Sequence, residues 1–146
     1  MPNTLKYHID TEKHRLWVRW YILKVCWALL KRAWAHDLSK YSSNEKPYFI
    51  RAMPMLSRAG YGSEDYQKAL KELGPALLHH YSSNIHHPEH FTGQIDDMSS
   101  LDIIEMLCDH KASTRRVRAG SMQQSMEVNA HRFTGWRAEP FKRDAK

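Results

Sequence analysis

At 146 residues, with 42% hydrophobic side chains and five Trp, seven Tyr and four Phe, the chain is long enough for one buried core and too apolar for a disordered polypeptide. Its longest apolar stretch, Leu16 to Leu30, is interrupted by Arg19 and Lys24 and falls short of the roughly 20 apolar residues of a membrane helix. A soluble protein with no membrane segment and no preceding signal peptide is therefore expected, and the net charge of +6 favours anionic partners without choosing among nucleotides, phosphorylated metabolites and nucleic-acid backbone.

From Thr11 the residues Leu16, Trp17, Trp20, Tyr21, Leu23, Val25, Cys26, Trp27 and Leu30 recur at steps of three and four, which predicts a helix carrying much of the core. Tyr41 to Asn44 reads as a turn, Glu45 to Ala52 as a second helix closed by Pro54, and Ser57 to Gly62 as a loop. Ser63 is placed to cap a helix that Gly74 stops, and Pro75 to open the next, from Ala76 to about Ser83. Asn84 to Thr92 gathers histidines around Pro88 and reads as an irregular polar loop. A last strong helix begins at Ser99 or Ser100, carries the stripe Leu101, Ile104, Leu107 and Cys108, and ends at Gly120, with Lys111, Arg115, Arg116 and Arg118 making a basic end. Ser121 to Phe133 can form one more amphipathic helix, after which the pattern fails at Gly135.

No segment alternates over a strand's length, so the fold class expected is all-α, a helical bundle with ligands for any site coming from facing helices. Residues 1–135 read as one domain and 136–146 as a basic tail, with Trp136 and Phe141 available to pack on the body or on another subunit of a homo-oligomer. Cys26 and Cys108 lie in apolar helical patterns that suit buried free thiols, and two such residues build no disulfide framework, in keeping with a reducing, cytoplasmic setting.

The chemistry concentrates at His36-Asp37-Leu38-Ser39-Lys40. An imidazole beside a carboxylate suits a borderline or hard divalent metal, and an ammonium three residues on suits an anion held against it. His14 precedes the pair, while His79, His80, His86 and His87 follow it and Asp109 comes later. His79 and His80 cannot both face one site from one helix, and His80 is preferred because Asn84 falls on its side. His14 and His36 are 22 positions apart, about 33 Å on a straight helix, so sharing one ion would need a break between about Leu29 and Trp34, where no Gly or Pro stands.

The order His, His-Asp, His, Asp resembles that of the HD-domain metal-dependent phosphohydrolases. Three blocks, His36 to Ser42 with Glu45 behind it, His80 with Asn84-Ile85-His86-His87, and Glu105 to Asp109, are more closely similar to the short, mostly phage and bacterial HD-like proteins of DUF5662, over roughly His14 to Lys111. The resemblance implies an HD-domain-like bundle with a central metal site and one or two divalent transition metals per chain (Fe, Mn, Ni, Co or Zn). His14, His36, Asp37 and Asp109 would hold one ion, and Asp37 would bridge to a second held by His80 and by His86 or His87, with Glu105 behind. The activity implied is hydrolysis of a small anionic phosphoester, a nucleotide among the candidates, by metal-bound hydroxide, with Asp37 and Lys40 as the catalytic residues and Lys40 neutralising a phosphate oxygen. Three other readings compete: an HD-fold di-iron oxygenase, a non-catalytic phage-type protein that binds a host partner, and a nucleic-acid binder. The last has no helix-turn-helix, zinc-finger or aromatic RNA-binding signature to support it.

Overall fold

The computed structural model describes residues 2–59, 62–115 and 121–133. Among these the chain is mostly helical and has no strand, so the fold class is all-α. It divides into two compact units, Met1–His36 and Asp37–Lys146. Gly60, Arg116, Arg118, Gly120, Gly135, Trp136, Phe141 and the tail from Lys142 to Lys146 lie outside the described residues.

The first unit is one helix, α1 (Pro2–Ala35). With no Gly or Pro after Pro2, nothing interrupts its hydrogen-bond ladder. Its surface carries pairs at helical spacing: an Arg15–Glu12 ion pair, Trp17 stacked on Tyr21 at 6.3 Å between ring centroids, and the Lys24 ammonium 5.6 Å from the Trp20 ring. Two expectations fail here. The break between Leu29 and Trp34 does not form, so His14 lies about 30 Å along the helix from its end beside His36, and a single chain cannot bring these two histidines to one ion. The apolar residues expected to build the core are exposed, Trp17 at 60% and Trp27 at 63% among them, and Cys26 is exposed as well.

The second unit opens with Asp37 in the left-handed backbone region, at φ 59°. Asp is one of the few side chains that tolerates this conformation. A short 3-10 turn, Leu38–Tyr41, leads to α2 (Lys46–Leu56) and α3 (Glu64–Ser83), which pack against each other. Ser63 caps α3 as expected, its Oγ accepting the Tyr66 N–H at 3.2 Å. Pro54, Gly74 and Pro75 do not end helices: Pro54 lies inside α2, and α3 runs through Gly74 and Pro75. A proline removes one donor and crowds one turn. In α3 that cost is offset by a buried stripe, Ala69, Leu73, Ala76 and His80, at steps of four, three and four on both sides of the proline.

After α3, two 3-10 turns, Pro88–His90 and Gln94–Asp97, precede α4 (Ser100–Ser113) and α5 (Met122–Val128), and a last 3-10 turn spans Ala130–Phe133. Ser99 and Asp102 form a capping box on α4, Ser121 and Gln124 one on α5. The expected apolar stripe of α4 is rotated. Asp102, Met106 and His110 are buried, whereas Ile104 and Cys108 are exposed, and the helix stops at Ser113. Met106 joins Ile95 and Met98 in a small core closed by Phe91, Ile103 and Met126. His110 is buried because Ser125 of α5 meets its Nδ1 at 3.0 Å.

Candidate metal centre

Four side chains of the second unit converge: Asp37, His80, His86 and His87 each place one ligand atom within 4.8 Å of those of the other three. His80 arrives from the last turn of α3, whose buried stripe it ends. His86 and His87 arrive from the segment between α3 and the next 3-10 turn, where the His87 N–H bonds to the Asn84 carbonyl at 3.1 Å. This segment, expected to be a polar loop, is gathered inward, and His86, His87 and Pro88 are all buried. Asn84 helps fix it, its amide donating to Ser39 Oγ at 2.8 Å and to the His80 carbonyl at 2.7 Å.

The histidines are oriented by carboxylates. His80 Nδ1 donates to Glu45 Oε2 at 2.9 Å, and His79 Nδ1 donates to the other oxygen at 2.7 Å. Glu45 is fully buried; it stands where an N-terminal cap of α2 belongs, yet its side chain makes no capping bond. His86 Nδ1 faces Glu105 Oε1 at 3.3 Å. An imidazole whose Nδ1 gives its proton to a carboxylate presents a lone pair at Nε2. His80 Nε2 lies 3.3 Å, and His86 Nε2 3.5 Å, from Asp37 Oδ1. Two lone pairs facing a carboxylate oxygen repel unless a cation sits among them. Donors bonded at about 2.0–2.1 Å to one tetrahedral ion stand roughly 3.3–3.4 Å apart, so the spacing fits a four-coordinate metal.

Lys40 closes the other side of Asp37, ion-paired to Oδ2 and standing 5.1 Å from the Phe49 ring centroid. Asp109 offers a carboxylate oxygen within 4.8 Å of one from Asp37. His36 is the last residue of the first unit, and His14 is exposed on α1. His79 is bonded to Glu45 but half-exposed, and His90 gives its Nδ1 contact, 2.7 Å, to the Ser82 carbonyl.

Beside the cluster is a cavity of about 410 Å³, within the size range of small-ligand sites. Its lining includes the apolar Phe49, Met53, Leu70 and Leu77 and the polar Lys40, His80, His87, Asp109 and Arg132. Arg132 was not singled out by sequence. Its guanidinium is paired with both oxygens of Glu89, donates to Asn129 Oδ1 at 3.2 Å, and lies 4.7 Å from the Tyr81 ring centroid. Burial lowers the Arg132 pKa, but the hydrogen bond it donates to Glu89 and the charges nearby outweigh it and raise the value overall. Burial raises the Tyr81 hydroxyl and lowers His110, the latter helped by the Arg132 charge.

Burial, reinforced by His86, His80 and Arg132, pushes His87 down to about 2. Between that value and the ordinary 6.5, the unfolded chain binds a proton at this site that the folded chain refuses, so its contribution to stability is complete above about pH 6.5 and shrinks as pH falls. For the metal-free protein, the unfolding free energy from urea titration is expected to drop between pH 7 and pH 5, by up to ~1.4 kcal/mol per pH unit from this group. The drop should be smaller in His87→Phe; an equal drop in both proteins would contradict the assignment.

No described helix is long and apolar enough to cross a membrane. No curated protein and no solved structure matches the chain. The model of a family of unknown function, DUF5662, matches residues 3–145, almost the whole chain, and the protein belongs to that family.

Proposed function

We propose that the protein is a metal-dependent phosphohydrolase of HD-like architecture acting on a small phosphoester, with a nucleotide as the first candidate. The observation that carries the reading is the meeting of Asp37 Oδ1 with the Nε2 atoms of His80 and His86, each histidine backed by a buried or half-buried carboxylate. This donor set fits a borderline divalent ion such as Zn, Co, Fe, Mn or Ni, and the tetrahedral spacing favours Zn or Co. When bound, such an ion acts as a Lewis acid and lowers the pKa of water. Asp37, His80 and His86 would hold it, and Asp109 stands close enough to Asp37 to serve a second ion. Lys40 and Arg132 supply positive charge to the cavity lining, while Phe49, Met53, Leu70 and Leu77 can receive an apolar or aromatic group of the substrate.

Metal analysis of protein purified without added metal, joined to a hydrolysis screen over nucleotides, tests the reading. Lys40→Met sharpens the test. It keeps much of the side-chain stem over Phe49 but removes the charge, so metal content should persist while phosphoester turnover falls ~10²-fold, as for one preorganised electrostatic contact. Full turnover in this variant would remove Lys40 from the reaction.

One observation favours a second reading. The exposed aromatic and aliphatic side chains of α1, among them Trp17, Trp20, Trp27 and Leu30, suit a protein that binds a host partner. Unimpaired biological function after His36→Ala and Asp37→Ala would select it.

A further inference from the structure

The three clustered histidines are not equivalent. His80 and His86 each turn Nδ1 toward a carboxylate, Glu45 and Glu105. His87 turns Nδ1 toward a cation instead, with Arg132 Nη2 at 3.2 Å. A guanidinium offers only N–H donors, so His87 Nδ1 must accept, and the proton of the neutral ring sits on Nε2. The guanidinium is not free to swing aside, because Glu89 holds it at two nitrogens, Asn129 at a third contact, and the Tyr81 ring lies under it. His87 is 6% exposed, and its Nε2 is buried with no hydrogen-bond partner among the described residues. A buried N–H without an acceptor is costly, and its removal from water is explained if something else is meant to accept.

We infer that His87 is not a metal ligand but a hydrogen-bond donor, through Nε2–H, to the anionic or water oxygen that completes a site of three protein ligands, Asp37, His80 and His86, with Arg132 as the positioning residue that fixes its tautomer. Three protein ligands with one open position is the pattern of catalytic rather than structural metal sites. The inference rests on reading the cluster as a metal centre, and not on any particular substrate.

The full chain, labelled with ¹⁵N, tests it directly. Two-bond proton–nitrogen correlation, with the His87 signals assigned by their loss in His87→Gln, should show the His87 proton on Nε2 both before and after loading with Zn(II). A proton on Nδ1, with the Nε2 signal moving on Zn(II) addition, overturns the inference. Arg132→Met should release the constraint and populate the Nδ1–H form.

Variants provide the second arm. A glutamine amide can accept from Arg132 and donate into the site as this histidine does, but it is a poor substitute for an imidazole ligand. His87→Gln and His87→Phe should both bind Co(II) within about threefold of wild type, whereas His86→Ala should lose more than the roughly 100-fold that an outer-shell partner costs at most. Inorganic phosphate should bind Co(II)-loaded His87→Phe about tenfold or more weakly than wild type, with His87→Gln restoring much of the loss. Co(II) affinity falling in both His87 variants as far as in His86→Ala, or phosphate affinity unchanged in His87→Phe, overturns the donor role. Failure to take up any metal removes the metal-centre reading and the donor role with it. Absence of phosphoester hydrolysis alone touches only the proposed reaction, because the tautomer and Co(II) measurements stand without it.

Discussion

Asp37→Asn is expected to abolish metal-dependent stabilisation. Asn keeps the shape of the side chain and shares with Asp a tolerance of the left-handed backbone found at φ 59°, so the variant isolates the carboxylate from the fold. Ala would add a backbone penalty of about 1–2 kcal/mol and confuse the result. In the wild type, Oδ1 is the atom to which both histidine Nε2 atoms point, and Oδ2 holds Lys40. Replacing this carboxylate should weaken metal binding by more than the roughly 10–100-fold that an outer-shell change costs. With metal at about 100 times its Kd, the wild type gains about 2.7 kcal/mol against unfolding. Asp37→Asn should gain almost nothing under the same conditions, while its metal-free melting temperature stays within a few degrees of wild type. Equal metal-induced shifts in the two proteins would mean that the meeting of Asp37, His80 and His86 is a hydrogen-bonded cluster holding a proton and not an ion.

Glu45→Ala should produce the largest loss of stability of any single change in the second unit. The carboxylate is completely buried and receives bonds from two histidines. Truncation removes the closest acceptor of both Nδ1 groups, leaves the buried His80 only Ser39 Oγ at 3.1 Å, and opens a cavity at the start of α2. A buried donor left short of its acceptor costs about 1–3 kcal/mol, and the cavity adds to it. A melting temperature lowered by ~10 °C or more is the corresponding observation. Glu45→Gln retains an acceptor for one histidine but sets an amide N–H against the other. It should therefore melt between wild type and Glu45→Ala and bind metal about 10–100-fold more weakly than wild type. If Glu45→Ala melts like wild type, Glu45 does not anchor His80.

The helical character of the chain and the starts of α2 to α5 were legible in sequence, because they rest on local chemistry, whereas α1 was expected from Thr11 and begins at Pro2. Ser63, Ser99 and Ser121 cap helices with bonds to residues three positions away. The ends were harder to read. Gly74 and Pro75 are breakers by local preference, and they are overruled by a buried stripe that requires α3 to continue to His80. The helical-face argument that separates His79 from His80 did not foresee that both reach the one Glu45 carboxylate, the first half-exposed and the second buried. The buried face of α4 was misread, since apolar residues were assumed to point inward. That face instead carries Asp102 and His110, each admitted to the interior by a specific partner, Ser99 and Ser125. Nothing local announces the partnerships of Glu45 with His80 or of Arg132 with His87, which join residues 35 and 45 positions apart. These are the contacts that decide the protonation of the two rings.

The placement of the tryptophans has an optical consequence. Trp17, Trp20, Trp27 and Trp34 all belong to α1, and Trp136 is the only other indole in the sequence. Near-ultraviolet emission therefore comes mainly from the first unit, whereas the histidine and carboxylate cluster belongs to a unit whose described part contributes only tyrosine and phenylalanine. Far-ultraviolet dichroism instead sums the helices of both. A fluorescence melt thus follows α1, a dichroism melt follows the entire chain, and the two curves superimpose only where both units unfold in a single cooperative step.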